Sequence, residues 1–410
     1  MSKQRIVVSI LAVGGLMSPL AHATDGYFSD GYGMKSIGMA GVGIALPQDA
    51  IAAANNPAGM VMVGDRADIG VSLFRPDRSA EVTGAGGLQN GTFNGNGRAN
   101  FLIPEFGYNK MVNPNTSLGV SVYGNGGMNT QYNTNMMPGG AGPVGINMSQ
   151  LFIAPTWAMK LNPSNSIGVS LNLVYQTFSA TGLQGFAGQS SNSAALTNNG
   201  TDTSTGVGVK LGWIGEVTSA VTLGAAYQPK TSMSKLSKYS GLFAEQGGFD
   251  IPANYGVGIA VKAAPATTVA FDVKQIQYSG VASVANTVSQ GGPLGANNGM
   301  GFGWQDMTVL KIGVSQAVSS TLTLRAGFSH NNQQIPASQT MFNILAPGVV
   351  QDHLTLGATF VRPDKSEITV GYMHAFKKTV SGPNSIPAGF GGGSANLTMS
   401  EDSIGIAYGW

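Results

Sequence analysis

Along most of the chain, apolar residues alternate with small or polar residues at a period of two. Leu151, Ile153 and Trp157 fall on one face of a segment, while Ala154 and Thr156 fall on the other. Because successive side chains of a strand point to opposite faces, this pattern predicts strands with one apolar face and one small or polar face. Such strands suit a wall between lipid and a lumen.

The alternating segments are joined by two kinds of connection in turn. Short turns, such as 113–115 and 162–165, alternate with loops of about twenty residues rich in Gly, Asn and Ser, such as 125–148 and 230–250. This layout is typical of an antiparallel outer-membrane β-barrel of about fourteen strands, with its turns in the periplasm and its loops outside. The predicted strands are residues 68–76, 101–112, 116–124, 149–161, 166–179, 205–217, 220–229, 251–263, 267–280, 304–317, 321–330, 351–362, 366–378 and 398–410.

The N-terminal residues have the pattern of a secretory signal peptide. Lys3 and Arg5 precede an apolar stretch over residues 6–16, and Ala-His-Ala at 21–23 offers a small-x-small cleavage site. The stretch is shorter than the about 20 residues that a membrane-spanning helix needs. We therefore expect residues 1–23 to be removed and the mature chain to begin at Thr24.

The composition agrees with a membrane barrel. Charged residues make up 10% of the chain, against about 25% in soluble globular domains, and lipid on one side of most strands explains the deficit. Without the two basic residues of the leader, the acidic and basic residues balance, so no nucleic-acid partner is implied. The chain has no cysteine, which excludes a disulfide framework. A hydrophobic content of 42% argues against a disordered chain.

A large soluble β-sandwich or propeller would also alternate, and the last segment helps to separate these folds. Ile404, Ile406, Tyr408 and Trp410 share one face, and only small residues lie on the other. An apolar outside, a small inside and a terminal aromatic residue are typical of a barrel-closing strand. Together with the leader, this favours a protein of the bacterial outer membrane.

Residues 24–66 lack the alternation and are rich in Ala and Gly. We predict that they form a small, partly helical hatch inside the lumen and that residues 67–410 form the barrel. Within the hatch, Asn56 can bond its own backbone, Pro57 fixes φ, and Ala58 and Gly59 keep the chain slim, which together predict a rigid turn. As a bare tripeptide, Asn-Pro-Ala is also compatible with an ordinary turn.

The hatch motifs resemble the N-terminal hatch of the FadL/TodX family of outer-membrane hydrocarbon transporters. The resemblance rests on Gly26-Tyr27-Phe28, residues 31–35, 38–41 and 47–50 and Asn56-Pro57-Ala58-Gly59, and continues with residues 249–252, 303–306, 324–327 and 342–350 before His353. It covers nearly the whole mature chain. It implies a fourteen-stranded barrel with a hatch, and a lateral exit formed by an inward kink of the third strand.

Glycines interrupt the end of the third predicted strand. Gly124, Gly126 and Gly127 stand where a lipid-facing strand should carry apolar side chains. Glycine inside a strand weakens pairing and marks a bulge or bend. These residues are our candidates for a lateral opening in the barrel wall, and the start of a glycine-rich loop is the alternative.

Two long loops carry candidate ligand contacts. The loop around residue 240 has an apolar series with lysines on its border, and the preceding long loop adds two apolar residues that could complete the patch. An amphipathic acid would place its tail on the apolar face and its carboxylate near an ammonium group. Packing of loop against loop is the alternative. The candidates are Leu183, Phe186, Met233, Lys235, Leu236, Lys238, Leu242 and Phe243.

These features predict a monomeric passive transporter whose partners are a hydrophobic small molecule, outer-membrane lipid and lipopolysaccharide. We expect no cofactor, no metal and no catalysis, because His330, His353 and His374 have no serine motif beside them. A general diffusion porin and, less well supported, an outer-membrane lipid-modifying enzyme are the alternatives. Fatty acids, aromatic hydrocarbons and alkanes all fit the sequence as ligands.

Overall fold

The computed structural model describes residues 25–289 and 291–410, so the predicted leader and Thr24 lie outside the described residues. The described residues form fifteen strands, of which β1 and β3–β15 close a fourteen-stranded barrel. The strands are β1 Arg66–Thr83, β2 Gly91–Asn94, β3 Phe101–Asn113, β4 Thr116–Asn129, β5 Gly145–Asn162, β6 Asn165–Thr181, β7 Asp202–Glu216, β8 Val221–Gln228, β9 Asn254–Ala264, β10 Thr267–Ile276, β11 Met307–Ala317, β12 Leu322–Asn331, β13 Asp352–Val361, β14 Glu367–Val380 and β15 Ser394–Gly409.

Every strand pair of the barrel is antiparallel, and the barrel closes where β15 meets β1. This pairing runs without a break from Asp68 opposite Gly409 to Thr83 opposite Ser394. The extra strand β2 pairs with the upper part of β1. The predicted fold class is therefore confirmed, including the closing role of the last alternating segment.

The two faces of the strands differ as the alternation predicts. On β6, Val169, Leu171 and Leu173 are exposed on the outer surface, whereas Ser170 and Asn172 are fully buried. The barrel thus presents apolar side chains to lipid and small or polar side chains to the lumen.

The hatch lies inside the barrel and has little regular structure. Among the described residues, no helix is both long and apolar enough to cross a membrane. The short helices are α1 Met34–Ile37, α2 Met60–Val63, α3 Ala244–Gly247, α4 Ala282–Ala285 and α5 Thr340–Asn343, and the 3-10 turns are Ala52–Ala54, Pro57–Gly59, Gln184–Gln189, Ser193–Ala195, Ser237–Tyr239, Tyr278–Gly280, Ala337–Gln339 and Ala388–Phe390.

Several strands extend beyond their predicted ends at the long-loop side. β1 continues to Thr83 with Arg75 and Asp77 on its outer face, and β7 begins at Asp202. The outer face of these extensions carries polar residues, so an apolar lipid-facing row does not mark them. Backbone pairing with the neighbouring strand continues nevertheless.

Candidate functional site

The Asn-Pro-Ala turn caps itself. The side chain of Asn56 accepts a hydrogen bond from the Ala58 backbone N–H at 3.1 Å, and Pro57 occupies the first position of the 3-10 turn Pro57–Gly59. The asparagine side chain satisfies one of the backbone N–H groups that have no partner within the turn. Proline suits the first position of the turn because it has no backbone N–H group that would need a partner. The rigid turn is thus present.

Asn56 also ties the turn to the barrel wall. Its Nδ2 donates to the backbone carbonyls of Trp213 on β7, at 3.0 Å, and Ala225 on β8, at 3.3 Å. The wall accommodates this contact through Gly212, where a Cβ atom would lie 1.9 Å from the Asn56 side-chain oxygen. The turn is therefore a joint between hatch and barrel.

Charged groups fix the same part of the hatch at the short-turn end. Lys35 lies 2.6 Å from Glu367 on β14, and Arg66 bridges Glu367 at 2.8 Å and Asp68 at 2.7 Å. The carboxylate of Asp68 in turn accepts the backbone N–H of Ala50 at 2.8 Å. We call residues 34–63 the hatch base, because several strands hold it.

Asp49 is a buried acid within the hatch base. Burial, reinforced by the nearby carboxylate of Asp68, raises the pKa of Asp49 from 3.8 to about 6, against the opposing charges of Lys35 and Arg66. Its carboxylate accepts the backbone N–H of Ile51 at 3.0 Å. This acid therefore changes charge close to neutral pH.

A buried lysine contacts two acids among the first described residues of the hatch, and the hydroxyl of Tyr278 bonds the backbone of Asp25 and Tyr27. Lys311 on β11 lies 3.2 Å from the carboxylate of Asp25 and 3.0 Å from that of Asp30, to which Ser329 also donates a hydrogen bond at 3.0 Å. Burial alone would raise the pKa of Asp30, but the ammonium group of Lys311 lowers it below its usual value. We call residues 25–30 the N-terminal segment.

On the long-loop side, β3 and β4 are not paired with each other, and we call this part of the wall the gap. Their pairing runs from Asn113 opposite Thr116 only as far as Phe106 opposite Val122. Above this point β3 stays paired with β1, up to Phe101. The inter-strand hydrogen bonds that seal the rest of the wall are therefore missing here.

The upper part of β4 bends into the lumen. All residues from Tyr123 to Asn129 are buried, so the alternation of the lower part is lost. β4 remains paired with β5, with a register shift between Gly124 and Gly126. The predicted glycines, including Gly127, thus lie within the bent strand at a β-bulge.

The N-terminal segment covers the inner side of this gap. The backbone N–H of Gly127 donates to the Tyr27 carbonyl, and the Ser29 N–H donates to the Asn125 carbonyl, each at 2.9 Å. A Cβ atom on Gly126 would lie 1.7 Å from the Tyr27 carbonyl oxygen. The segment therefore pairs with β4 like a short extra strand, and only glycine at 126 permits this.

An apolar cleft lies between the long loops, with about 470 Å³ of space not filled by atoms. Ser283 is its one polar side chain among the lining residues, and its hydroxyl is bound to the carbonyl of Gly248. No charged side chain lines the cleft. Its walls are Ile146, Phe178, Leu183, Phe186, Leu242, Phe243, Ser283, Leu294, Met300, Gly301, Phe302, Phe342 and Leu345.

A chain of aromatic rings leads from the cleft to the N-terminal segment. The ring of Phe243 lies 4.6 Å from Phe178 and 4.9 Å from Phe249, between ring centroids. Phe249 lies 5.8 Å from Tyr27, whose ring also lies 5.9 Å from Trp304. Aromatic contacts are therefore continuous from the cleft to Tyr27.

The structure brings four of the predicted loop residues together and separates the other four. Leu183, Phe186, Leu242 and Phe243 line the cleft. Met233 and Leu236 are buried outside the cleft lining, whereas Lys235 and Lys238 lie at the surface. Lys235 lies 3.4 Å from Glu245, and Lys238 donates to the Thr201 carbonyl at 2.7 Å.

Phe249, Trp304 and Phe342 are functional candidates that the hydrophobic pattern did not single out. Each belongs to one of the motifs that carry the family resemblance. Apart from those motifs, their signal in the sequence was a single aromatic residue within a long loop or at its edge. Among the described residues, no cluster of ligating side chains could hold a metal ion.

The comparisons with known proteins agree with this geometry. The family model for outer membrane transport proteins of the OMPP1/FadL/TodX type matches residues 23–402. A search of curated protein sequences finds no match.

Solved structures share the fold at low sequence identity. The chain is similar to a FadL homologue of Pseudomonas aeruginosa, at 17% identity and a TM-score of 0.71, covering 94% of this chain and 99% of that one. It is similar to the toluene transporter TodX of Pseudomonas putida, at 17% identity and a TM-score of 0.67 over 93% and 98% of the chains. The toluene transporter TbuX of Ralstonia pickettii shares 19% identity, with a TM-score of 0.64 over 93% and 98%.

The family match spans most of the chain and the barrel is closed, and together they indicate the outer membrane as the location of the protein. The protein is a β-barrel of the bacterial outer membrane, and it belongs to the FadL/TodX family of transport proteins for hydrophobic compounds.

Proposed function

We propose that this protein passively transports hydrophobic compounds from the outer surface into the outer membrane itself. The compound binds in the apolar cleft, moves along the aromatic chain to Tyr27, and leaves sideways between β3 and β4. The observation that carries the proposal is the gap above Phe106 and Val122, whose inner side is covered by the N-terminal segment. An apolar solute that leaves through the wall never has to cross water.

Gating is assigned to the N-terminal segment. The hatch base is bonded to β1, β7, β8 and β14, whereas the N-terminal segment is held by Lys311, Ser329 and Tyr278 and by pairing with β4. Displacing the segment would join the aromatic chain to the gap without moving the base. We also propose that the chain works as a monomer surrounded by lipid and lipopolysaccharide and that it catalyses no reaction.

The absence of charge in the cleft favours an uncharged ligand. A carboxylate there would lose its hydration without gaining a partner, which is costly in an apolar site. The structurally similar TodX and TbuX are described as toluene transporters. An amphipathic acid would have to reach Lys235 or Lys238, which already contact Glu245 and Thr201. Comparing the binding of toluene with that of a long-chain fatty acid separates the two classes.

A reversible crosslink across the gap tests the exit. The chain has no native cysteine, and a Cβ atom on Gly124 would lie 3.3 Å from the Ile103 side chain across the opening. In the double variant Ile103→Cys, Gly124→Cys, a disulfide would staple β3 to the bent part of β4. We expect oxidation to block uptake, a reductant to restore it, and ligand binding at the cleft to persist throughout.

The matched control places the same crosslink in the closed part of the same two strands. Tyr108 and Val120 are direct partners there, so Tyr108→Cys, Val120→Cys should transport equally well oxidised and reduced. Full uptake by the oxidised Ile103→Cys, Gly124→Cys variant would place the exit elsewhere, either in another part of the wall or through the hatch.

A further inference from the structure

A second cleft opens at the long-loop surface, between β2 and the chain that follows β4. It holds about 800 Å³ of space not filled by atoms, and none of its lining residues is charged. Among the described residues, β2 pairs only with β1, so its other edge faces this cleft. The lining residues are Thr92, Phe93, Asn94, Asn96, Gly97, Tyr132, Asn133 and Thr134.

The polar side chains of this cleft divide into anchored and available groups. Asn96 is anchored, because its Oδ1 accepts the Arg78 backbone N–H at 2.8 Å and its Nδ2 donates to Asp77. Thr92, Asn133 and Thr134 are exposed, and among the described residues their side chains bond no other protein group. The cleft thus offers hydroxyl and amide groups that can both donate and accept.

The frame of the cleft is rigid. The Gly97 N–H donates to the Gln131 carbonyl at 2.9 Å, and the Gln131 N–H donates back to Gly95 at 3.0 Å. Tyr132 forms part of the cleft, and its hydroxyl donates to the Ile344 carbonyl at 2.8 Å. A preformed frame reduces the entropy lost on binding.

The position of the cleft indicates which molecules surround it. Residues 95–100 lead into β3, and residues 130–134 follow directly from β4, so the cleft lies at the outer end of the wall gap. The outer leaflet of this membrane carries lipopolysaccharide, whose sugars stand above the lipid at this level. A sugar is therefore the polar molecule present there at the highest local concentration.

We propose that this cleft binds an uncharged sugar unit of the outer-leaflet glycolipid, with Asn133 and Thr134 as its principal hydrogen-bonding residues. Neighbouring hydroxyls of a sugar match paired amide and hydroxyl groups, and a phosphate would require a cation that the lining lacks. The four-residue β2 edge is too short to recognise a peptide by strand addition. This proposal does not depend on ligand entry, because none of the lining residues of this cleft lines the apolar cleft.

Calorimetry with the purified full-length protein in detergent tests it, with delipidated core oligosaccharide of lipopolysaccharide as the probe. We expect saturable binding that weakens about tenfold in Asn133→Ala, Thr134→Ala, the loss expected from removing two exposed hydrogen-bonding groups. The more severe variant Thr92→Trp should abolish binding by filling the cleft. Both changes lie at the exposed surface, so the barrel should keep its heat-modifiable migration.

Two controls make the outcome decisive. Asn115→Ala removes an exposed amide from a periplasmic turn and should leave binding unchanged. Dephosphorylated oligosaccharide should bind as well as the native form. Absence of saturable binding to the unaltered protein, equal weakening by Asn115→Ala, or loss of binding on dephosphorylation would each overturn the proposal, and the last result would identify phosphate as the recognised group.

Discussion

The hatch base and the N-terminal segment belong to one short stretch of chain, yet the barrel holds them differently. The base is fixed from several directions, by Asn56 on β7 and β8, by Lys35 on β14, and by Glu105 on β3, which accepts two hatch N–H groups at 3.1 Å. The N-terminal segment is held by Lys311, Ser329 and Tyr278 and by pairing with β4. Under the proposed gating, the N-terminal segment is released while the base stays in place.

The gap between β3 and β4 and the N-terminal segment of the hatch share hydrogen bonds. A strand bent into a lumen exposes backbone groups that must find partners. Here the N-terminal segment supplies part of that pairing, so the opening and its cover are built from the same hydrogen bonds. A change that weakens these bonds should act on the segment before it acts on the base.

The largest effect is expected from Gly126→Ala. The added Cβ would lie 1.7 Å from the Tyr27 carbonyl oxygen, so the N-terminal segment cannot keep its position on β4. Hydrogen exchange measured by mass spectrometry should show loss of protection over residues 25–30 and unchanged protection over residues 34–63. Gly124→Ala is the matched control, because the nearest atom to its Cβ is in the Ile103 side chain, at 3.3 Å. Equal exchange in the two variants would contradict the role given to Gly126.

Lys311→Met should also release the N-terminal segment. It leaves the carboxylates of Asp25 and Asp30 buried without their cation, and breaking a buried pair costs about 3–5 kcal/mol. Added protease should cleave the segment faster while the barrel remains intact. The comparison variant is Lys35→Met, which removes one contact to Glu367 but leaves that of Arg66. If Lys35→Met exposes the N-terminal segment as strongly, the two regions are not independent.

Asn56→Ala should loosen the hatch base. It removes the bond to Ala58 and those to the Ile44, Trp213 and Ala225 carbonyls, which are worth about 1–3 kcal/mol in total. The barrel should still migrate as a heat-modifiable band, because its strands bond one another without the hatch. Asn55→Ala is the control, since the Asn55 amide contacts only hatch groups. A barrel that fails to assemble would show that the turn is needed for folding.

The alternation of side chains made the barrel predictable. A period of two is a local property, so the fourteen strands and the closing strand at Ile404 and Ile406 could be read from the sequence. The outer limits of β1 and β7 were less visible, because the outer face becomes polar there. The abundance of glycine predicted bends, but its larger cause is contact with the hatch, as at Gly212 and Gly126.

The site was only partly predictable, because it is assembled from distant segments. Leu242 and Phe243 stood out as an apolar series, whereas Trp304 and Phe342 were single aromatic residues in loops far along the chain. The partners of a buried charge are similarly non-local. Lys311 lies 281 positions from Asp30, and nothing in the sequence around either residue indicates the pair.

The smallest effect concerns Asp49 and acts on the hatch base alone. Its pKa is raised from 3.8 to about 6 by burial and by Asp68, with Lys35 and Arg66 opposing. The docked base thus binds a proton more tightly than the undocked base. Docking is therefore weakened as the pH rises from the undocked pKa of 3.8 through the docked pKa of about 6. Hydrogen exchange over residues 34–63 should therefore speed up across this range beyond the intrinsic pH dependence of exchange. Asp49→Asn keeps an acceptor for the Ile51 N–H and should remove the extra acceleration. An unchanged pH profile in Asp49→Asn would assign the acceleration to another group, and an extra acceleration confined to residues 25–30 would reverse the comparison between the two regions.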